Sequence, residues 1–381
     1  MIRFEEEHHE IRDMVADFSD NELAPRATAL DESGGSPREN LKKLAETGML
    51  GVTVPEDLGG AGLDLLTAVL VVEELARGCA STAAVAQVHL FDATTSLLVQ
   101  GSDEQKQRFL PSLASGDSLA TVALVEPGAE SDAGSIATTA TPCDGGWKIS
   151  GSKTFVIGAI ESGLLLTVAR TEKGSGVAGL AFFAFDPGTS GVVMRPRSGM
   201  LGLRGAAIAD ISLEGVILPE DAMLGGEGGH SPAIMRTLER SRIGAAAVAI
   251  GVARGAITEA LGYASERRAF GRTIDRFGAV RGMIGDATVA IETARMMTYR
   301  AASLCDRGAT IAREASFAKL SANRAAYLAT KSSVQILGGN GFSREYPVER
   351  MFRDAQTLGI YSGSDDLHRM LIARSLIGER S

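Results

Sequence analysis

A chain of 381 residues is long for one core, so two or three subdomains are expected. Hydrophobic residues at 45% and charged residues at 22% describe a soluble globular protein. A net charge of −9 argues against nucleic acid as the main partner and against a polybasic membrane anchor.

The opening residues, MIRFEEEHHEIRD, are acidic and amphipathic, unlike a signal peptide. No run of eighteen or more uncharged apolar residues follows; the richest stretch, Leu63–Leu75, is broken by Asp64, Glu73 and Glu74. A cytoplasmic location is the expectation. Residues 1–118 read as a helical domain. Phe4, Ile11, Met14, Val15 and Phe18 form one stripe, with Pro25 placed to stop the helix. Ser36-Pro37 opens a second helix. Gly48–Leu63 is too rich in breakers to be anything but loop. Leu65 to Val99 reads as two Ala-rich helices split near Gly78, the second nearly uncharged and therefore buried, and Asp103 is expected to cap a short helix. Residues 119–229 change character: TVALV, GWKIS, KTFVI, LLLTVAR, LAFFAF, GVVMR and AIADISL are β-type runs without intervening helices, which predicts an antiparallel sheet domain. No GxGxxG follows a strand, which argues against a nicotinamide dinucleotide site. Residues 230–381 return to helices at 231–268, 276–306 and 310–337, forming with a C-terminal helix a four-helix bundle.

Cys79, Cys143 and Cys305 are scattered and odd in number, so no disulfide framework or metal motif is implied. Glu5-x-x-His8 and Glu6-x-x-His9 have the spacing of a di-iron ligand motif, but the second copy such a site needs is missing. His89, His230 and His368 stand isolated, and no metal is expected.

The stretch QILGGNGFSREYPVERMFRDAQTLGIYSGSDDLHRMLIAR, residues 335–374, is the most informative. Gly338, Gly339 and Gly341 leave the main chain bare for close approach of a planar or phosphorylated ligand. A helix through Glu345, Glu349, Arg350, Arg353 and Asp354 allows salt links, and Leu367, Met370 and Leu371 mark one apolar face of a last helix. The stretch resembles the C-terminal signature of the acyl-CoA dehydrogenase family, in which a Q-x-x-G-G-x-G loop precedes a Y-E-G-T turn and an I-A-R ending. Ala123–Ser135, ALVEPGAESDAGS, resembles that family's first signature through Glu126, Pro127, Gly128, Ser131 and Asp132. Gly151–Ala159 resembles its G-x-K-x-[WF]-I-T-N strand, and Ser265–Asp286 its E-R-x-x-F-G segment.

The resemblance covers essentially the whole chain and implies an α+β fold: an N-terminal helical domain, a central antiparallel β domain and a C-terminal four-helix bundle. It implies FAD, contacted by the amides near Leu124 and Val125, by Ser131, and by Phe155 and Ile157 over the ring. Arg267, Phe270, Gln335, Gly338 and Gly339 then reach a neighbouring subunit's FAD, with Ser364 and Asp366 in the turn. Ser131, Arg242 and Arg374 are the implied substrate contacts. In the family a carboxylate removes the α-proton of an acyl thioester while the β-hydrogen passes as hydride to the flavin. The two positions from which that base comes correspond here to Ser362 and Ser241. Serine cannot act as this base at neutral pH without a base of its own; Glu239, Asp365 and Asp366 are the carboxylates nearby in sequence. Val125, Glu130 and Ile157 also depart from the family pattern.

Three functions follow. The first is α,β-dehydrogenation of an acyl thioester carried by CoA or a carrier protein. The second is an oxidase- or oxygenase-like biosynthetic flavoenzyme, and the third a non-catalytic subunit of a hetero-oligomer. The resemblance further implies a homodimer or homotetramer, and an electron-transfer flavoprotein or oxygen as acceptor.

Overall fold

A mixed seven-stranded sheet is flanked by helices that precede and follow it in the chain. The computed structural model describes residues 4–129, 132–171, 176–225 and 230–378. The first helical layer comprises α1 (Glu6–Phe18), α2 (Ala24–Ser33), α3 (Arg38–Ala45), α4 (Leu65–Gly78), α5 (Ala80–Gln87), α6 (Thr95–Gln100) and α7 (Asp103–Ala114). Glu5 and His8 form a reciprocal cap at the start of α1. Pro25 does not end that helix: a π-helical turn over Ser19–Leu23 carries it into α2, where Pro25 sits in the first turn and needs no N–H partner. Val15 is buried, but Met14 is exposed, so the stripe is narrower than its sequence pattern. The predicted break after Gly78 is present, and α5 and α6 are joined by a second π-helical turn, Val88–Thr94. Ser102, not Asp103, caps α7, because its hydroxyl accepts from Gln105 N–H while the Gln105 side chain returns the bond.

The sheet is built from β1 (Ala120–Ala123), β2 (Thr139–Cys143), β3 (Gly146–Val156), β4 (Leu164–Arg170), β5 (Leu180–Phe185), β6 (Val192–Pro196) and β7 (Ala209–Pro219). Its order is β1-β4-β2-β3-β7-β6, with β5 also on β4. It is not antiparallel throughout: β1 runs parallel to β4, because the β2–β3 hairpin intervenes in the chain and returns β4 in the same direction as β1. The runs GWKIS and KTFVI are one bulged strand, β3, and β2 carries no apolar run, which is why its sequence does not announce it.

The second helical layer holds α8 (His230–Glu266), α9 (Gly278–Asp306), α10 (Ala312–Leu337), α11 (Val348–Leu358) and α12 (Asp365–Ile377), and a short hairpin of β8 (Arg268–Ala269) and β9 (Arg272–Thr273) follows α8. Glu345 precedes α11 instead of lying on it, and Met370 on α12 is exposed. One apolar core runs through both helical layers, from Leu66 and Val69 of α4 to Ala249 and Val252 of α8. A stretch of α8 is long and apolar enough by composition to cross a membrane, yet 83% of its most apolar window is buried in this core. Close helix contact is set by glycine: a Cβ on Gly251 would lie 2.2 Å from the carbonyl oxygen of Glu73.

Candidate active site

The Glu-Pro loop after β1 is fastened to β3 from below. Lys153 Nζ, fully enclosed, donates to Glu126 at 2.6 Å and to the Leu124 carbonyl at 3.2 Å. Glu126 also accepts from Ala137 and Thr138 N–H at 2.7 and 3.1 Å; against the effect of burial, the Lys153 ammonium first and these donors after it hold its carboxyl below the ordinary range. Burial depresses Lys153 to about 8, and Glu126 limits the fall. The Val125 carbonyl accepts from Thr154 N–H at 2.9 Å. Phe155 has φ 54, left-handed for a bulky residue, and Asp210 steadies that backbone by accepting from Phe155 N–H and Thr154 Oγ1. The Arg197 guanidinium lies 3.9 Å over the Phe155 ring while pairing with Asp210. Ile157 is buried against the helical core. Ser131 and Glu130 lie outside the described residues.

A second group forms at the end of the bundle. Tyr263 on α8 joins two segments: its hydroxyl accepts from Asn340 Nδ2 at 3.0 Å, and its ring meets Tyr346 edge-on. Arg267 and Phe270 follow Tyr263, while Gln335, Gly338 and Gly339 precede or adjoin Asn340, so the structure gathers these five residues at one end of α8 and α10. All are exposed, Phe270 at 94% with φ 49. The Arg267 main chain bonds to Tyr263 and Ile274, but its guanidinium has no hydrogen-bond or ion-pair partner among the described residues, and nothing stands within 4 Å of a Cβ placed on Gly338 or Gly339. Arg350 instead ties α11 to Thr28, and Arg353 ties it to Asp31.

The third group is the turn before α12. Ser362 takes φ 55 and Gly363 φ 100, and a Cβ on Gly363 would crowd the His368 ring at 3.0 Å. Ser364 caps α12 by accepting from Leu367 N–H at 3.2 Å. His368 is therefore not isolated: it is buried beneath the turn. Burial, with Lys319 and Arg242 nearby, drives its pKa down to about 3, so it is neutral near pH 7. Lys319, enclosed on α10, donates to Asn323 and to the Leu358 carbonyl, and burial brings its pKa down to about 7. Arg242 is 7% exposed with no hydrogen-bond or ion-pair partner among the described residues. Asp366 is exposed and pairs with Arg369, and Arg374 is exposed on the last turns of α12.

The two serines at the expected base positions meet: Ser241 Oγ and Ser362 Oγ are 2.9 Å apart. None of the three carboxylates nearby in sequence bonds to either. Glu239, buried beside Arg242, forms no hydrogen bond among the described residues, and Asp365 accepts from Asn323. The carboxylate that reaches them is Asp92, in the π-helical turn between α5 and α6. Ser241 stands beside Asp92, and Gln87 Nε2 donates to the carboxylate at 2.9 Å. Gly244, one turn beyond Ser241, permits this approach: a Cβ there would lie 2.6 Å from Phe91 and 2.8 Å from Gln87. Burial pushes the Asp92 carboxyl up to about 7, with the Ser241 hydroxyl and the Gln87 amide opposing the rise. Sequence reasoning passed over it. The signal was present, because Asp92 is the only acidic residue between Ala80 and Gln100.

Three family models match in chain order: "Acyl-CoA dehydrogenase, N-terminal domain" over residues 5–117, the middle domain over 121–216 and the C-terminal domain over 231–377. A short-chain-specific acyl-CoA dehydrogenase of Clostridium acetobutylicum is 36% identical over 363 residues, covering 95% of this chain and 96% of that protein. The structure of butyryl-CoA dehydrogenase from Megasphaera elsdenii superposes with a TM-score of 0.96 at 31% identity, covering 99% of this chain and all of that one. The prolyl acyl carrier protein oxidase AnaB superposes with a TM-score of 0.94 at 26% identity, covering 98% of this chain and 100% of that one.

Proposed function

The chain belongs to the acyl-CoA dehydrogenase family, and on that premise we propose that it is an FAD-dependent oxidoreductase acting on the α,β carbons of an acyl thioester. The observation that carries this reading is the convergence of Ser241, from the start of α8, and Ser362, from the turn before α12, on one spot. Two segments 121 residues apart bring the two proposed base positions together, which supports a thioester pocket there that lacks the usual glutamate.

The residues present fit FAD. Bare main chain at Gly338 and Gly339, the unpaired Arg267 guanidinium and the 94%-exposed Phe270 form a surface that a dinucleotide and a second protomer would cover. Leu124, Val125, Phe155 and Ile157 would lie against the ring, and Ser364 and Asp366 beside the chain that links ring to phosphates. Bound there, the flavin supplies the oxidising group that takes the β-hydrogen as hydride. Arg242, with the partly protonated Lys319, makes the region under the turn electropositive, which favours the negative charge that develops on a thioester oxygen as its α-proton leaves. Arg242, Arg374 and the loop serine Ser131 are the proposed substrate contacts. The exposed edge favours a homodimer or a pair of dimers; a single chain carries only half of each such cofactor site.

The test is the visible spectrum of the purified protein followed by anaerobic addition of CoA thioesters from acetyl to octanoyl, then prolyl and other carrier-bound thioesters. Bound flavin bleached by one of them supports the reading. Flavin that ignores every thioester but turns over with reductant and oxygen would replace it with an oxygenase-like activity. A colourless protein that gains flavin only with a co-expressed partner would make it a subunit of a hetero-oligomer.

A further inference from the structure

We propose that Asp92 takes the place of the missing glutamate, receiving the substrate α-proton through the hydrogen-bonded pair Ser362–Ser241; this rests on the acyl thioester reading above. Either hydroxyl can donate in the 2.9 Å bond between Ser241 and Ser362; with the Ser241 proton turned to the Asp92 carboxylate beside it, Ser362 is the donor. The chain of donors therefore runs Ser362 to Ser241 to Asp92 and ends on a carboxylate.

A serine hydroxyl is far too weak a base to keep the proton near neutral pH, whereas a carboxylate in a poorly solvated place keeps it well. As the α-C–H bond breaks, its proton passes to Ser362 Oγ. The Ser362 proton passes to Ser241 Oγ, and the Ser241 proton to Asp92. The electron pair of the α-C–H bond becomes the second bond between the α and β carbons, as the β-hydrogen leaves with its own pair to the bound flavin. Asp92 ends neutral, each serine ends with one proton, and the substrate has lost two hydrogens.

Three further observations point the same way. Asp92 sits in a π-helical turn, an arrangement that costs regular helix bonding and is frequent at functional sites. As a residue it keeps some exposure, unlike its neighbours Phe91 and Ala93. Beside it Tyr361 Oη and Gln87 Oε1 are buried without partners, which leaves polar atoms waiting for a polar ligand. No cation among the described residues pairs with Asp92. Of the elements packed on its turn, α5, α6 and β1 carry no titratable side chain, α8 brings Arg242 and Glu239, which act on each other, and the turn before α12 brings Tyr361, whose own ionisation Asp92 opposes.

The experiment uses the holoenzyme with its flavin confirmed by the visible spectrum, so that loss of the cofactor reading is seen separately. Aspartate labelled with 13C at the carboxyl is titrated by NMR, and the Asp92 resonance is assigned by its absence in Asp92→Asn. The expected midpoint lies near neutral, moves up in Ser241→Ala, which removes a donor to the charged form, and moves less in Ser362→Ala. In parallel, exchange of the α-hydrogens of the CoA thioester panel in D2O is read by mass spectrometry. Asp92→Asn should slow exchange at least about 100-fold, Asp92→Glu should retain part of it, and Asp92→Asn/Ser362→Glu should recover it by returning a carboxylate to the turn. A resonance that titrates in the ordinary aspartate range, or one indifferent to both serines, overturns the proposal, as does full exchange in Asp92→Asn. Flavin that binds and is bleached while these results fail would sink the role of Asp92 and leave the thioester reading standing.

Discussion

Two acids in the first helical layer stand in opposite conditions. Glu73 on α4 is 1% exposed and fully engaged: Arg254 at 2.7 Å, Arg295 at 3.1 Å and the Tyr299 hydroxyl at 2.6 Å close on its two oxygens. It binds α4 to α8 and α9. Asp92, fourteen residues past the end of α4, receives only neutral donors and faces two unpartnered polar atoms. Burial raises the Glu73 pKa too, against Arg254 and Arg295, but an acid whose oxygens are both engaged in this way serves the fold. An acid left among hydroxyls and an amide keeps a high proton affinity and remains available for chemistry.

The largest effect that follows is on the Glu73 side. Glu73→Gln leaves two partly buried guanidinium groups facing a neutral amide and should lower the unfolding free energy by about 2–4 kcal/mol in urea titration, with no change in the pH profile of whatever activity survives. A smaller loss would mean that the network is more solvated than its geometry shows. Glu126→Gln is intermediate, since Lys153 already holds its proton weakly at about 8 and can shed it. A loss of about 2 kcal/mol is expected, together with weaker flavin retention on dilution, because the loop of Leu124 and Val125 loses its anchor.

At the exposed edge, Arg267→Gln should leave thermal unfolding of the flavin-free protein unchanged while weakening FAD by about thirtyfold in a fluorescence titration, or about 2 kcal/mol for a charge-assisted contact. Unchanged affinity would move the phosphates elsewhere. Ser364→Ala removes the cap of α12 and should cost about 1 kcal/mol, read as a small fall in melting temperature.

Much of this fold was legible in the chain. Apolar periodicity fixed the long helices to within a few residues, and the break falls at Gly78, a glycine that a neighbouring backbone crowds: a Cβ there would meet the Ser19 carbonyl oxygen at 2.8 Å. Other features were not legible because their cause is tertiary. The parallel pairing of β1 with β4 depends on where a hairpin returns the chain, and β2 is held by its neighbours rather than by its own residues. The serine pair could be anticipated from the turn and the start of α8, but not its link to Asp92. That link exists only when α5, α8 and the turn before α12 meet, and Gly244 gives the clearance for it.

Asp92→Asn decides whether the contrast between the two acids is real. The folded state holds the Asp92 proton up to about pH 7, against 3.8 for an ordinary aspartate. Below 3.8 both states are protonated and the group is neutral in its effect. As pH rises from 3.8 through about 7 the folded state gives up a proton it holds more tightly, so stability falls across that window and stays low above it. Measured at pH 8, unfolding free energy and α-hydrogen exchange should therefore part company: the variant is expected to be more stable than the parent by roughly 1–3 kcal/mol while exchange all but disappears. A variant that loses stability, and loses exchange only in proportion to the fraction unfolded, would show that Asp92 is a second structural acid like Glu73.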